Sequence, residues 1–114
     1  MLNKVILVGR LAADPEIKAT PKGMRIANLR VATNTYAGKD EAGNVREHVE
    51  FHSLVVFGRQ AEIAGEYLRK GRLICAHGRL QTRSWEDGNG GKRRTTEVVV
   101  DNLQLLGPRP EEAA

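Results

Sequence analysis

Five stretches of the chain concentrate β-branched and aliphatic residues, and turn-forming residues bound each of them. They are Lys4–Leu11, Met24–Thr33, Val49–Phe57, Arg72–Trp85 and Arg93–Val100. Asp14-Pro15 and Thr20-Pro21-Lys22-Gly23 separate the first two, and Gly58 stops the third. Glu86-Asp87-Gly88-Asn89-Gly90-Gly91 lies between the last two and reads as a flexible hairpin tip. One segment breaks the strand pattern. From Gln60 to Lys70, Ala61, Ala64 and Leu68 recur at spacings three and four, and Ile63 pairs with Tyr67. This spacing predicts a helix over 60–70, with Lys70 in its last turn and Gly71 as a left-handed C-terminal cap.

The predicted order is three strands, one helix and two strands. That is the order of an OB-fold, a five-stranded Greek-key barrel: all-β with one helix, placed between strands 3 and 4. Other small barrels share the count. In an OB-fold the middle strands and the loops joining strands 1–2 and 4–5 form the binding face. No repeat or linker divides the chain. It reads as one domain over 1–107 with a short, disordered C-terminal extension over 108–114.

Composition changes this picture in one respect. The 114 residues are 40% hydrophobic but only 4% aromatic. The rings are Tyr36, Phe51, Phe57, Tyr67 and Trp85. A core must therefore come from Val, Leu, Ile and Ala, and each ring needs its own explanation. Tyr67 fits the buried face of the helix beside Ile63. Lys and Arg exceed Asp and Glu by 18 to 14, a net charge of +4 that favours polyanionic partners. The uncharged apolar runs Val5–Gly9 and Val98–Val100 fall far short of the roughly 20 residues of a membrane span. No signal-peptide pattern follows Met1. A single cysteine, Cys75, fits a reducing compartment and, mid-strand among apolar neighbours, a packing role. The expected setting is cytoplasmic, with no membrane partner.

Catalytic motifs are weak. His48 and His52 are four apart, a spacing that would meet one metal on a helix. Val49 and Phe51 argue for a strand, where four residues span about 13 Å. Gly90-Gly91-Lys92 lacks the glycine and the Ser or Thr that a phosphate-binding loop requires, with Glu86 and Arg93 at those positions. No nucleophile, base and orienting group assemble. The chain is expected to be non-enzymatic, without metal or cofactor.

The rings point elsewhere. Phe51 and Phe57 share one face of a strand with Ser53 and Val55, opposite His52, Leu54 and Val56. Arg79, Gln81, Arg83 and Trp85 alternate onto one face of the fourth strand. Arg59, Arg79, Arg83, Lys92, Arg93 and Arg94 add positive charge near these rings. Rings beside arginines suit single-stranded nucleic acid, whose unpaired bases stack and whose phosphates follow a basic groove. For Phe51 and Phe57 a core role is equally consistent with periodicity. Tyr36 lies in a loop after the second strand and is expected to be accessible.

These residues resemble the bacterial-type single-stranded DNA-binding proteins over about 1–107. The matching stretches include Asn3-Lys4-Val5-Ile6-Leu7-Val8-Gly9, Ala32-Thr33-Asn34, Val55-Val56-Phe57-Gly58, Glu66-Tyr67-Leu68-Arg69-Lys70-Gly71, Gly78-Arg79-Leu80-Gln81-Thr82-Arg83-Ser84-Trp85 and Thr95-Thr96-Glu97-Val98-Val99-Val100-Asp101-Asn102. The resemblance implies an OB-fold homotetramer, nucleoid-associated, that binds single-stranded DNA in replication, repair and recombination. It implies stacking by Phe51, within Glu50-Phe51-His52, and by Phe57 and Trp85, and a subunit interface at His52. Two departures stand out. The family's loop tryptophan is replaced by Ala37, with Tyr36 one place earlier as an imperfect substitute for the stack. The acidic recruiting tip of the family's tail does not follow Gly107, which leaves a short paralogue or a trimmed chain, and tail-mediated partners are not predicted. Two rival readings are an OB-fold adaptor of the replication machinery with secondary nucleic-acid binding, and a small enzyme.

Overall fold

The computed structural model describes residues 1–107, so the expected extension 108–114 lies outside the described residues. In chain order the elements are β1 (Val5–Leu11), β2 (Glu16–Ala19), β3 (Arg25–Lys39), β4 (Val45–Phe57), α1 (Arg59–Tyr67), β5 (Leu73–Glu86) and β6 (Lys92–Leu105). β1 pairs antiparallel with β5, β5 with β6, and β4 with β3. Two short seams complete the circuit. β4 runs parallel to β6 at Leu54–Val98 and Val55–Val99, and β1 meets β3 at Arg10–Ala32 and Leu11–Val31. Five strands thus close the expected OB-fold barrel, with the single helix leading into its fourth strand.

The segment between β1 and β3 differs from the expected plain turn. β2 forms there and pairs only with β3, from Glu16–Asn28 to Ala19–Arg25. The chain bends at Ala12 and Ala13, and Pro15 has no N–H to give a ladder, so the break between strands spans Asp14-Pro15. The β3–β4 hairpin is also longer than its hydrophobic pattern, and β6 runs on to Leu105, past the expected end at Val100. β3 runs to Lys39 and β4 begins at Val45, where the sequence reading ended and began strands at Thr33 and Val49. Thr33, Asn34 and Thr35 carry no apolar alternation, but each has a cross-strand partner, Glu50, Val49 and His48. Tyr36 accordingly sits in a strand opposite Glu47, not in a loop.

The helix also ends early. Leu68 leaves it in an extended conformation (φ −92°, ψ 139°) and is fully buried. Its side chain joins Ala61 and Ala64 under α1, so the core claims the residue that helical periodicity had assigned to another turn. Lys70 is therefore outside the helix and gives its N–H to Asp14 Oδ1 at 2.8 Å. Gly71 has positive φ (91°) but serves the following turn, its N–H bonded to Leu11 O, and is not the helix cap.

The buried hydrophobic residues are Leu, Val, Ile and Ala throughout, among them Leu29, Val31, Leu54, Val56, Leu68 and Ile74. No ring is buried. Tyr67 is 48% exposed, against the expectation that it packs beneath the helix; the short side chains Ala61 and Ala64 make that contact instead. A core of small residues lets backbones approach closely. A Cβ added at Gly78 would lie 2.0 Å from Val99 O, and one at Gly9 2.4 Å from Ala32 O. Gly78 sits at the register shift between β5 and β6, so neither strand can move away without loss of pairing. Gly78→Ala is expected to destabilise the fold by about 1–3 kcal/mol, while Gly88→Ala, with open space around it, changes stability by less than about 0.5 kcal/mol. Urea denaturation followed by circular dichroism measures both.

Candidate nucleic-acid interface

Strand pairing decides which side chains share the outer face of the barrel. On β4, Leu54 and Val56 point into the core, so Phe51, Ser53, Val55 and Phe57 point outward. Across β3 the register sets Arg30 beside Ser53 and Ala32 beside Phe51. Across the parallel seam, Val55 lies beside Val99, which brings Thr95 and Glu97 of β6 onto the same face. β5 completes it: Arg79 faces Val99, Arg83 faces Thr95 and Trp85 faces Arg93. A groove of about 340 Å³ crosses this surface, with Arg30, Ser53, Arg83, Thr95 and Glu97 in its walls and Asp14 and Glu16 at its other side.

All four rings expected to stack are exposed: Phe51 52%, Phe57 41%, Trp85 43% and Tyr36 64%. Phe57 ends β4 just before Gly58, whose φ of 68° turns the chain into α1. Tyr36 falls on the same face of the β3–β4 ribbon as Phe51, farther out along it. Two rings carry a guanidinium. Arg30 Cζ lies 4.8 Å from the centre of Phe51, and Arg83 Cζ lies 5.3 Å from the centre of Trp85. Both distances are within cation–π range. Arg30 is absent from the set of cations read from the sequence. Its even-numbered place opposite the buried Leu29 and Val31 is the available signal, but only the register shows which ring it reaches.

The expected phosphate-binding cations divide into groups. Arg79, Arg83 and Arg93 share the ring-bearing face of the β5–β6 ribbon, whereas Lys92 and Arg94 alternate to its opposite face beside Glu86 and Ser84. Arg59 opens α1 and pairs within it, Nη1 to Glu62 Oε2 at 3.1 Å. Arg79 pairs with Asp101 at 3.5 Å, Arg83 with Glu97 at 3.0 Å and Arg93 with Asp87 at 3.1 Å. His52 faces inward and shares a 2.8 Å hydrogen bond with Thr33 Oγ1, while His48 bonds Glu50 Oε1 at 2.6 Å. The two histidines thus have separate partners.

Residues 2–106 match the single-strand binding protein family. The chain belongs to that family. Among solved structures it is similar to the Plasmodium falciparum SSB in complex with ssDNA, with a TM-score of 0.83, 29% identity, and coverage of 94% of this chain and 97% of that one. It is also similar to a deletion mutant of the single-stranded DNA binding protein from Thermus aquaticus, with a TM-score of 0.79 and 39% identity. That match covers 95% of this chain and 52% of the Thermus chain.

In this single-strand binding family member, both long hairpins end in the same turn. Gly43 N–H bonds Asp40 O and Asp40 N–H bonds Asn44 O; Gly90 N–H bonds Asp87 O and Asp87 N–H bonds Gly91 O. Gly43 and Gly90 have positive φ (86° and 80°). Each aspartate also accepts N–H groups from within its own tip, Asp40 from Ala42 and Asn44, Asp87 from Asn89 and Gly91. These bonds favour the charged form. The Asn44 N–H holds Asp40 below the ordinary aspartate value, and the Gly91 N–H, then Asn89 and Arg93, does so for Asp87. A carboxyl group whose folded pKa is lowered supports the turn above its unfolded value and loses that support as pH falls through the folded one. Both tips are therefore expected to loosen below about pH 4 while the barrel persists. Amide chemical shifts of Asn44 and Gly91, followed in an acid titration, report the change, and in Asp87→Asn the Gly91 resonance loses its acid transition.

Proposed function

We propose that this protein binds single-stranded DNA with little sequence preference, stacking bases on Phe51, Phe57, Trp85 and Tyr36 and meeting phosphates with arginines of the same face. The observation that carries the reading is that a chain with so few rings leaves all of them outside its core, with guanidinium groups over Phe51 and Trp85. The likeness to a structure in complex with ssDNA supports it. Stacking uses the faces of unpaired bases, which a duplex hides, and each stack contributes about 1–3 kcal/mol. Neither stacking nor phosphate contact reads base identity. Binding only unpaired strands draws hairpins open by mass action, without nucleotide hydrolysis. We place this activity in the cytoplasm, protecting strands exposed in replication, repair and recombination, and assign the protein no catalytic role.

We also propose that it acts as a homotetramer with His52 near a subunit interface. Ile6 and Val8 of β1 are 66% and 54% exposed on the single chain, apolar area that a second copy would cover. Native mass spectrometry tests this; a monomer at micromolar concentration would remove it.

Oligothymidine is expected to quench the emission of Trp85, and duplex DNA of the same length is not. Losing one stack of about 2 kcal/mol in Trp85→Ala weakens binding roughly 30-fold. Affinity should fall with added salt at a logarithmic slope of about 0.7 per phosphate contacted, and a flat profile would remove the phosphate part of the reading.

A further inference from the structure

Glu97 is the one charged residue buried among the described residues, 8% exposed beside Val98, Val99 and Val100. A buried carboxylate is unfavourable unless paired, and on a face that receives a polyanion it adds repulsion. We propose that Glu97 is a positioning residue for single-stranded DNA: it fixes Arg83 across Trp85 so that the terminal guanidinium nitrogens meet a backbone phosphate. The proposal rests on the DNA-binding reading above.

The geometry has three parts. Glu97 lies opposite Gln81 in the β5–β6 ladder, one diagonal step from Arg83, within reach of a long side chain. Its Oε1 accepts the Nε–H of Arg83 at 3.0 Å. That bond uses one of five guanidinium donors and leaves the four N–H groups of both terminal nitrogens unspent on Glu97. The indole of Trp85 lies 5.3 Å from Cζ and limits the remaining freedom of the guanidinium. Held between a buried carboxylate and a ring, the arginine has already lost rotamer entropy that a free side chain would lose on binding.

The other paired cations show the contrast. Arg59 and Arg79 engage Glu62 and Asp101 through Nη1, the end a phosphate would use, and both carboxylates are about half exposed. Arg93, directly across from Trp85, repeats the Arg83 arrangement with its Nε–H on Asp87 at 3.1 Å. The two arginines flanking the indole are thus both held from behind.

The test exploits opposite signs. If Glu97 only repels DNA, Glu97→Gln removes a negative charge and binding tightens. If it positions Arg83, Glu97→Gln weakens oligothymidine binding about tenfold, because the amide oxygen accepts the same Nε–H without the charge that makes the bond strong, and lowers the salt slope by about 0.7. Glu16→Gln, the same charge change at an exposed carboxylate of the same groove, is expected to tighten binding. In an Arg83→Gln background Glu97→Gln should add no further loss, because the partner it positions is gone. Tighter binding by Glu97→Gln, an equal loss in Glu16→Gln, or an undiminished loss in the Arg83→Gln background would each overturn the proposal. Wild-type protein that fails to bind oligothymidine instead removes the DNA reading itself. Should Glu97→Gln not fold by circular dichroism, Arg83→Lys decides. It keeps the charge but has no second nitrogen to serve carboxylate and phosphate together. Tenfold weaker binding supports the role of Glu97, and wild-type affinity overturns it.

Discussion

Two seams of two residue pairs each close the barrel, one joining β4 to β6 and the other β1 to β3. A ring of strands closes over so little pairing only if the space inside is small and fully filled. Val, Leu, Ile and Ala fill it, and Gly9 and Gly78 let neighbouring backbones come close enough to keep the circuit tight. No ring enters that interior: Tyr67 stands exposed on α1, and Tyr36, Phe51, Phe57 and Trp85 stand on the outer face of the strands.

On that face charge and apolar area are interleaved. Arg30 covers Phe51 and Arg83 covers Trp85, so two of the ring surfaces carry their own cation. The face is not uniformly basic, because Asp14, Glu16 and Glu97 share the groove with Arg30 and Arg83. Ion pairing consumes cations that net charge alone would assign to a polyanion. Arg79, Arg83 and Arg93 are each paired with a carboxylate, so the surplus of +4 does not measure the unpaired charge on this face.

The strand order, the barrel and the single helix were legible in the sequence, because apolar segments and Gly or Pro punctuation coincide at most boundaries. Parity put Phe51 and Phe57 on one face of β4, but periodicity left that face open between core and surface, and only the burial of Leu54 and Val56 on the other face decides it. Legibility failed where tertiary contacts overrode local pattern. Leu68 follows helical periodicity but leaves the helix to fill the core, and the arms around Thr35 and Tyr36 are strands because a partner strand supplies their hydrogen bonds. Tyr67 looked buried because its spacing from Ile63 is helical, yet Ala61 and Ala64 take the contact. Arg30 and Glu97 owe their places to cross-strand register, which a single sequence does not encode locally.

The separation of rings from core has an evolutionary consequence. In many binding proteins the residues that grip a ligand also brace the interior, so a change in affinity moves the molecule toward its stability threshold. Here Leu29, Val31, Leu54, Leu68 and Ile74 hold the barrel while Tyr36, Phe51, Phe57 and Trp85 stand outside it. Selection can therefore exchange one aromatic for another, or drop one, and retune the surface while the interior is inherited unchanged.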